Sequence, residues 1–229
     1  MSAGIEETLE RAERALAAGR GLKGTGFWKA VGKVRSDPGL AAQWGHRISL
    51  IDRAAFEAGV RLRIPATAGT AILALLTLGG LAVLALGGRL ADMQVRTLAF
   101  FAAFGLLIVS THSLAHWVVG RLVGIKFIYY FLGGPPPPRP GAKSDYESYL
   151  RTSPGKRAVM HASGAVVTKI LPFALIPVAI SFDVGKWPVA LLVGVGLLQI
   201  ATDALFSTKT SDWMKVKREL RAARALRSS

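Results

Sequence analysis

In STHSLAHWVVG, residues 110–120, His112 and His116 stand four apart among side chains that are almost all apolar. On a helix, residues four apart lie one turn above each other on one face. Two imidazoles so placed reach one tetrahedral metal ion, which is the mechanics of H-E-x-x-H metal sites. They cannot grip a haem iron from both sides, because both rings come from the same direction; a bis-histidine haem needs His161 from another helix. Ionisable groups inside membrane-length apolar runs are costly and are functional candidates. The others here are His161, Lys169 and Asp203, with Asp212 just beyond the last apolar run. The alternative use of the pair is packing, with the histidines satisfying polar groups between helices and Asp203 pairing with Lys169 or a histidine.

The elements that carry these residues are long and apolar. The chain has 229 residues, 51% of them hydrophobic, and a mean hydropathy of +0.38. Its apolar residues are concentrated in four runs, 64–87, 97–120, 158–181 and 187–206. Each is about the 20 residues that span a bilayer. This predicts an all-α polytopic membrane protein with about four transmembrane helices. The first run follows some 60 residues of charged, helix-forming sequence, so it does not read as a cleavable signal peptide.

A formal net charge of +15 fits either nucleic-acid binding or membrane topology. The distribution favours the second. Residues 1–63 hold 11 Lys and Arg, the stretch from Lys126 to Arg157 holds six, and the tail from Ser207 holds seven. The other two links hold only Arg89, Arg96 and Lys186. Lys and Arg mark cytoplasmic loops. Four spans with both termini and the central loop inside satisfy that rule throughout, in the cell membrane. The same basic segments attract anionic lipid. No nucleic-acid-binding signature is present, and nucleic acid is not an expected partner. With no cysteine, thiol catalysis and iron–sulfur clusters are excluded.

The chain divides into a cytoplasmic basic helical region, 1–63, a four-helix transmembrane domain, 64–206, and a cytoplasmic basic amphipathic helix, 207–229. In the first, IEETLERAERALAAG reads as a helix with acids early and bases late. Pro38 stands near a helix start, and IDRAAFEAGVRLRI reads as an amphipathic helix at the membrane surface. His46 reads as structural. The proline-rich loop, 124–157, opens with β-prone, aromatic KFIYYFLGG, which either dips into the membrane interface or forms a short hairpin. Four consecutive prolines then force an extended segment, and SDYESYL reads as a short capped helix. This loop is either a rigid connector or a lid. In the tail, Trp213, Val216, Leu220 and Ala223 recur at helical spacing between Lys and Arg, as on an interfacial helix. Pro172 and Pro177 are placed to bend the third span.

Several of these segments, in order, resemble the site-2 protease family of intramembrane zinc metalloproteases, the M50 peptidases. HSLAHWVVGRLVGIKFIYYFLGG has the layout of that family's HExxH, the following RxLGVK-like sequence and its β-rich membrane-associated loop. SPGKRAVMHASGAVVTK matches the start of SPxxRAxxxLAGPxAN and its Gly, but not its Pro or Asn. DALFSTKTSDW stands where the family has N-x-x-P-x-x-x-L-D-G, with one extra residue and without Asn, Pro or Gly. The resemblance covers about residues 97–220 and implies a three-helix core over 97–206. It implies a zinc ion held by His112 and His116 and a third, acidic ligand. Alignment puts that ligand on Asp212, with Asp203 replacing the family's Asn; depth within the span favours Asp203. Both stay open, with a lean to Asp212.

The departure is Ser113, which occupies the place of the general-base glutamate. A serine hydroxyl has no useful basicity near neutral pH. Asp145 and Glu147 are the only loop acids that sequence offers as substitutes, Glu147 first. The reading that follows is a metal-binding homologue, proteolytically weak or inactive, that binds transmembrane partners. The alternatives are an active protease cutting single-span membrane proteins and a structural subunit without metal.

Overall fold

The computed structural model describes residues 2–133, 139–205 and 211–226. The prolines of the central loop, Pro135–Pro138, lie outside the described residues, as does the start of the tail. Four helical stretches are long and apolar enough to cross a membrane: Ala66–Gly87, Met93–Leu122, Pro154–Ser181 and Lys186–Leu205. They coincide with the four runs read from the sequence. Large side chains such as Leu75, Leu78, Leu98 and Leu198 point outward from them, unburied by the rest of the chain. That surface is incompatible with water and suits lipid tails. The chain is a multi-pass helical membrane protein.

The chain forms two compact units. The first comprises residues 1–67, 121–154 and 222–229. Its helices α1 (Ser2–Ala17), α2 (Phe27–Arg35) and α3 (Pro38–Gly59) present apolar residues at steps of three and four. Ile5, Leu9 and Ala12 meet Phe27, Val31 and Val34, and both sets meet Trp44, Ile48 and Ile51 in one core. Pro38 opens α3 because its missing N–H needs no partner there. Asp37 caps the same end, its carboxylate accepting from the Gly39 and Leu40 amides at 2.8 and 3.1 Å.

The amphipathic helix expected over IDRAAFEAGVRLRI stops at Gly59, and Leu62–Pro65 is instead strand β1. Two causes are visible. Pro65 biases the residue before it to an extended backbone. The Arg63 guanidinium donates back to the Glu57 and Val60 carbonyls, satisfying acceptors that the ended helix leaves open. β1 pairs antiparallel with β2 (Phe127–Gly133), which pairs antiparallel with β3 (Arg139–Ser144). KFIYYFLGG is not itself a hairpin: it supplies the single strand β2, the middle of a three-stranded sheet of order β1-β2-β3, which departs from an all-α plan among the described residues. Helix α6 (Tyr146–Arg151) follows, capped by Asp145, whose carboxylate accepts from the Ser148 amide.

The second unit comprises residues 68–120 and 155–221. It contains almost all of α4 (Ala66–Gly87) and α5 (Met93–Leu122), together with α7 (Pro154–Ala174), α8 (Ile176–Ser181), α9 (Lys186–Leu205) and most of α10 (Asp212–Ala225). The third span is broken as its prolines suggest. Pro172 lies inside the last turn of α7, Leu175 separates the helices, and Pro177 stands at the start of α8. Phe100, Leu175, Ala179, Val184 and Leu192 form a core where α5, α8 and α9 meet. Thr77 on α4 donates to Ser110 on α5 at 2.8 Å.

Candidate metal centre

α5 and α7 run antiparallel beside each other, and each histidine of α5 is anchored on α7. His116 Nδ1 lies 2.8 Å from the Met160 carbonyl oxygen. A carbonyl only accepts, so Nδ1 carries the proton. His112 Nδ1 lies 2.7 Å from Thr168 Oγ1, and that hydroxyl spends its own proton on the Gly164 carbonyl at 2.8 Å. Thr168 therefore accepts, and His112 Nδ1 is protonated as well. Both imidazoles leave Nε2 with its lone pair available, the tautomer that binds metal when the far nitrogen is held by a second group.

Gly164 lets the two helices approach closely enough for this. A Cβ on Gly164 would stand 2.3 Å from His116 Nε2 and 2.9 Å from the His112 carbonyl oxygen. Any other residue there collides with the site. The two rings have centroids 4.8 Å apart and are nearly perpendicular.

The third group comes from the first residue of α10. Asp212 Oδ2 is 3.2 Å from His116 Nε2 and 3.7 Å from His112 Nε2. The three ligand atoms all lie within 4.8 Å of one another. Ligand atoms about 2.0–2.2 Å from a tetrahedral zinc sit roughly 3.3–3.6 Å apart, so the two distances to Asp212 Oδ2 are already close to that spacing. Without a proton or metal between them, two lone pairs and a carboxylate oxygen face one another repulsively. Burial alone raises the Asp212 carboxyl, but with no metal bound a second proton on His116, donated from Nε2 to Oδ2, and Lys215 beside it hold it below the usual carboxylate range. Lys215 Nζ donates to the other oxygen, Oδ1, at 3.0 Å. Asp212 is therefore an anion with Oδ2 turned to the histidines.

Of the two acids kept open for the third position, Asp212 meets the histidines and Asp203 does not. Asp203 on α9 pairs with Lys169 on α7, whose ammonium also lies over the Trp213 ring at 5.6 Å. That pairing compensates a lysine within the third span. Asp203→Asn is therefore expected to leave metal content unchanged, whereas Asp212→Asn lowers it sharply. Metal analysis of the two purified variants checks this, and the reverse order would exchange the roles of the two acids. His161, on α7 beside Met160, is not part of the three-ligand group.

Ser113 is half-buried between the histidines in sequence, and its hydroxyl has no hydrogen bond among the described residues. The loop acids are engaged elsewhere, within the first unit. Glu147 holds His46 at 2.8 Å and Arg151 at 2.9 Å. Asp145 caps α6 and accepts from Ser49 at 2.9 Å. Burial raises its carboxyl, but the hydrogen bonds from Ser148 and Ser49 outweigh that and hold it below the ordinary value, making it a poor base.

The chain matches no family model, no curated protein and no solved structure. The chemistry of the site therefore rests on its own residues. Those missed in the sequence are the supports: the Met160 carbonyl, Thr168 and Lys215. A backbone acceptor has no residue signature, but Thr168 stands one turn after Gly164 on the face of α7 that carries the close contact.

Proposed function

We propose that this membrane protein holds one zinc ion on His112, His116 and Asp212 and engages transmembrane segments of single-span proteins without cutting them. The observation that carries the metal reading is the pair of Nδ1-anchored imidazoles whose Nε2 atoms face the Asp212 carboxylate at 3.7 and 3.2 Å. Two imidazoles, one carboxylate and no thiolate suit zinc, with a fourth position left for water. The resemblance to site-2 proteases supplies the substrate class, since those enzymes act within the bilayer on single spans. Ser113 in place of the base, with Asp145 and Glu147 committed to other partners, supports binding without hydrolysis.

Cobalt(II) titrated into the metal-stripped, detergent-solubilised protein tests this reading. Tetrahedral cobalt absorbs visible light, so the expected result is a saturable band at about one ion per chain that excess zinc displaces. Absence of that band in wild type, or its persistence in His112→Ala, contradicts the reading.

The topology proposed with it follows from the Lys and Arg asymmetry: cell membrane, residues 1–63, the proline loop and the tail on the cytoplasmic side, next to anionic lipid. Because the chain has no cysteine, single cysteines placed at positions 20, 90 and 137 report sidedness directly. Positions 20 and 137 are expected to react with a membrane-impermeant maleimide only after the membrane is opened, and position 90 in intact cells. Labelling of position 137 from outside reverses the topology.

A further inference from the structure

We propose that the buried ion pair between Arg157 and Glu219 is a positioning latch that sets the register of α10, so that Asp212 meets the two histidines. It rests on reading those three residues as a metal centre. Arg157, near the start of α7, and Glu219, in α10, are 1% and 0% exposed, with Arg157 Nε 2.7 Å from Glu219 Oε2. The other oxygen, Oε1, accepts from Arg218 at 3.1 Å.

The helix spacing connects this pair to the site. Glu219 lies seven residues after Asp212, two turns along the same face. Val216 and Glu219 are the buried side chains of α10. Of the apolar residues that recur along the tail, Val216 is buried and Leu220 is exposed, so the packed face of α10 runs through Val216 and Glu219. Val216 and the half-buried Trp213, which lies against Lys169, hold α10 by contacts that tolerate sliding and rotation. A buried charge pair does not, because any displacement strands an uncompensated charge. Slipping by one residue moves a side chain 1.5 Å along the axis and 100° around it, which takes Asp212 away from Nε2 of His116. On the facing helix, Arg157, Met160, Gly164 and Thr168 follow at steps of three and four. One face of α7 thus holds both histidines, through Met160 and Thr168, and also the helix that delivers the carboxylate.

The test uses the full cysteine-free chain with spin labels at Val118→Cys on α5 and Leu220→Cys on α10, which are 44% and 42% exposed. Interlabel distance, cobalt(II) affinity and the cobalt spectrum are measured in the Glu219→Gln variant, in the apolar double variant Arg157→Met/Glu219→Leu, and in the charge-swapped Arg157→Glu/Glu219→Arg. Buried pairs replaced by apolar residues of similar volume generally keep the fold, so the apolar variant separates register from folding. Glu219→Gln and the apolar variant are expected to weaken cobalt binding by about 10–100-fold, alter its spectrum and broaden the distance distribution. The charge swap is expected to recover part of all three. An apolar variant with wild-type affinity, spectrum and distance would overturn the latch. If wild type binds no cobalt, the metal reading fails and the distances alone decide: broadening sustains the latch, and an unchanged narrow distribution overturns it.

Discussion

Gly164→Ala is expected to lower metal affinity by about two orders of magnitude, although the substitution adds one methyl group far from any ligand in sequence. The added Cβ falls 2.3 Å from His116 Nε2, 2.6 Å from its Cδ2 and 2.9 Å from the His112 carbonyl oxygen. A free ring would turn aside. This ring is held at Nδ1 by the Met160 carbonyl, and the backbone of α5 does not yield without moving the helix. Separating α5 from α7 stretches the His112–Thr168 bond as well, so both anchors fail together. Gly155 on α7 and Gly105 on α5 meet nothing within 4 Å, and Gly155→Ala and Gly105→Ala are expected to bind like wild type. Titration of the three variants with cobalt or zinc checks this. Equal affinities across all three would show that the helices do not close on Gly164.

The wild-type protein is expected to release no product from a panel of single-span substrates. Loss of a general base costs about 10²–10⁴-fold. Zinc on His112, His116 and Asp212 would acidify a bound water enough to do without a base in part, but the leaving amine would still need a proton. Ser113, which stands where the resemblance to site-2 proteases would place the glutamate, does not deliver one. Asp145 is a low-pKa helix cap, and Glu147 is shared between His46 and Arg151. Ser113→Glu is therefore expected to gain weak, metal-dependent cleavage. Robust cleavage by wild type that depends on His116 and survives Ser113→Ala would place the base elsewhere, and Glu147→Gln would be the next variant to examine.

What the sequence shows and what it hides follow from the range of the forces involved. The spans are legible because apolar length is a local property, and all four helices fall within a few residues of the runs that define them. The His112–His116 pair is legible because one-turn spacing is intrinsic to a helix. The choice between Asp203 and Asp212 is not, because depth and alignment point to different acids; the separation appears only when Lys169 is seen to claim Asp203. Strand β1 is hidden because RLRI continues a helical pattern, and the sheet partner that stabilises it lies some 70 residues later. Glu219 reads as one acid in a basic interfacial helix, since nothing near it in the chain announces Arg157.

The most direct measurement is zinc content with X-ray absorption at the zinc edge, on protein purified without chelator, for wild type and His116→Ala. Wild type is expected to hold about one zinc per chain, with two imidazole nitrogens and a carboxylate oxygen near 2.0–2.2 Å, and the variant to lose the ion. Wild-type protein that stays metal-free in the presence of zinc, or a zinc signal unchanged in His116→Ala, would contradict it.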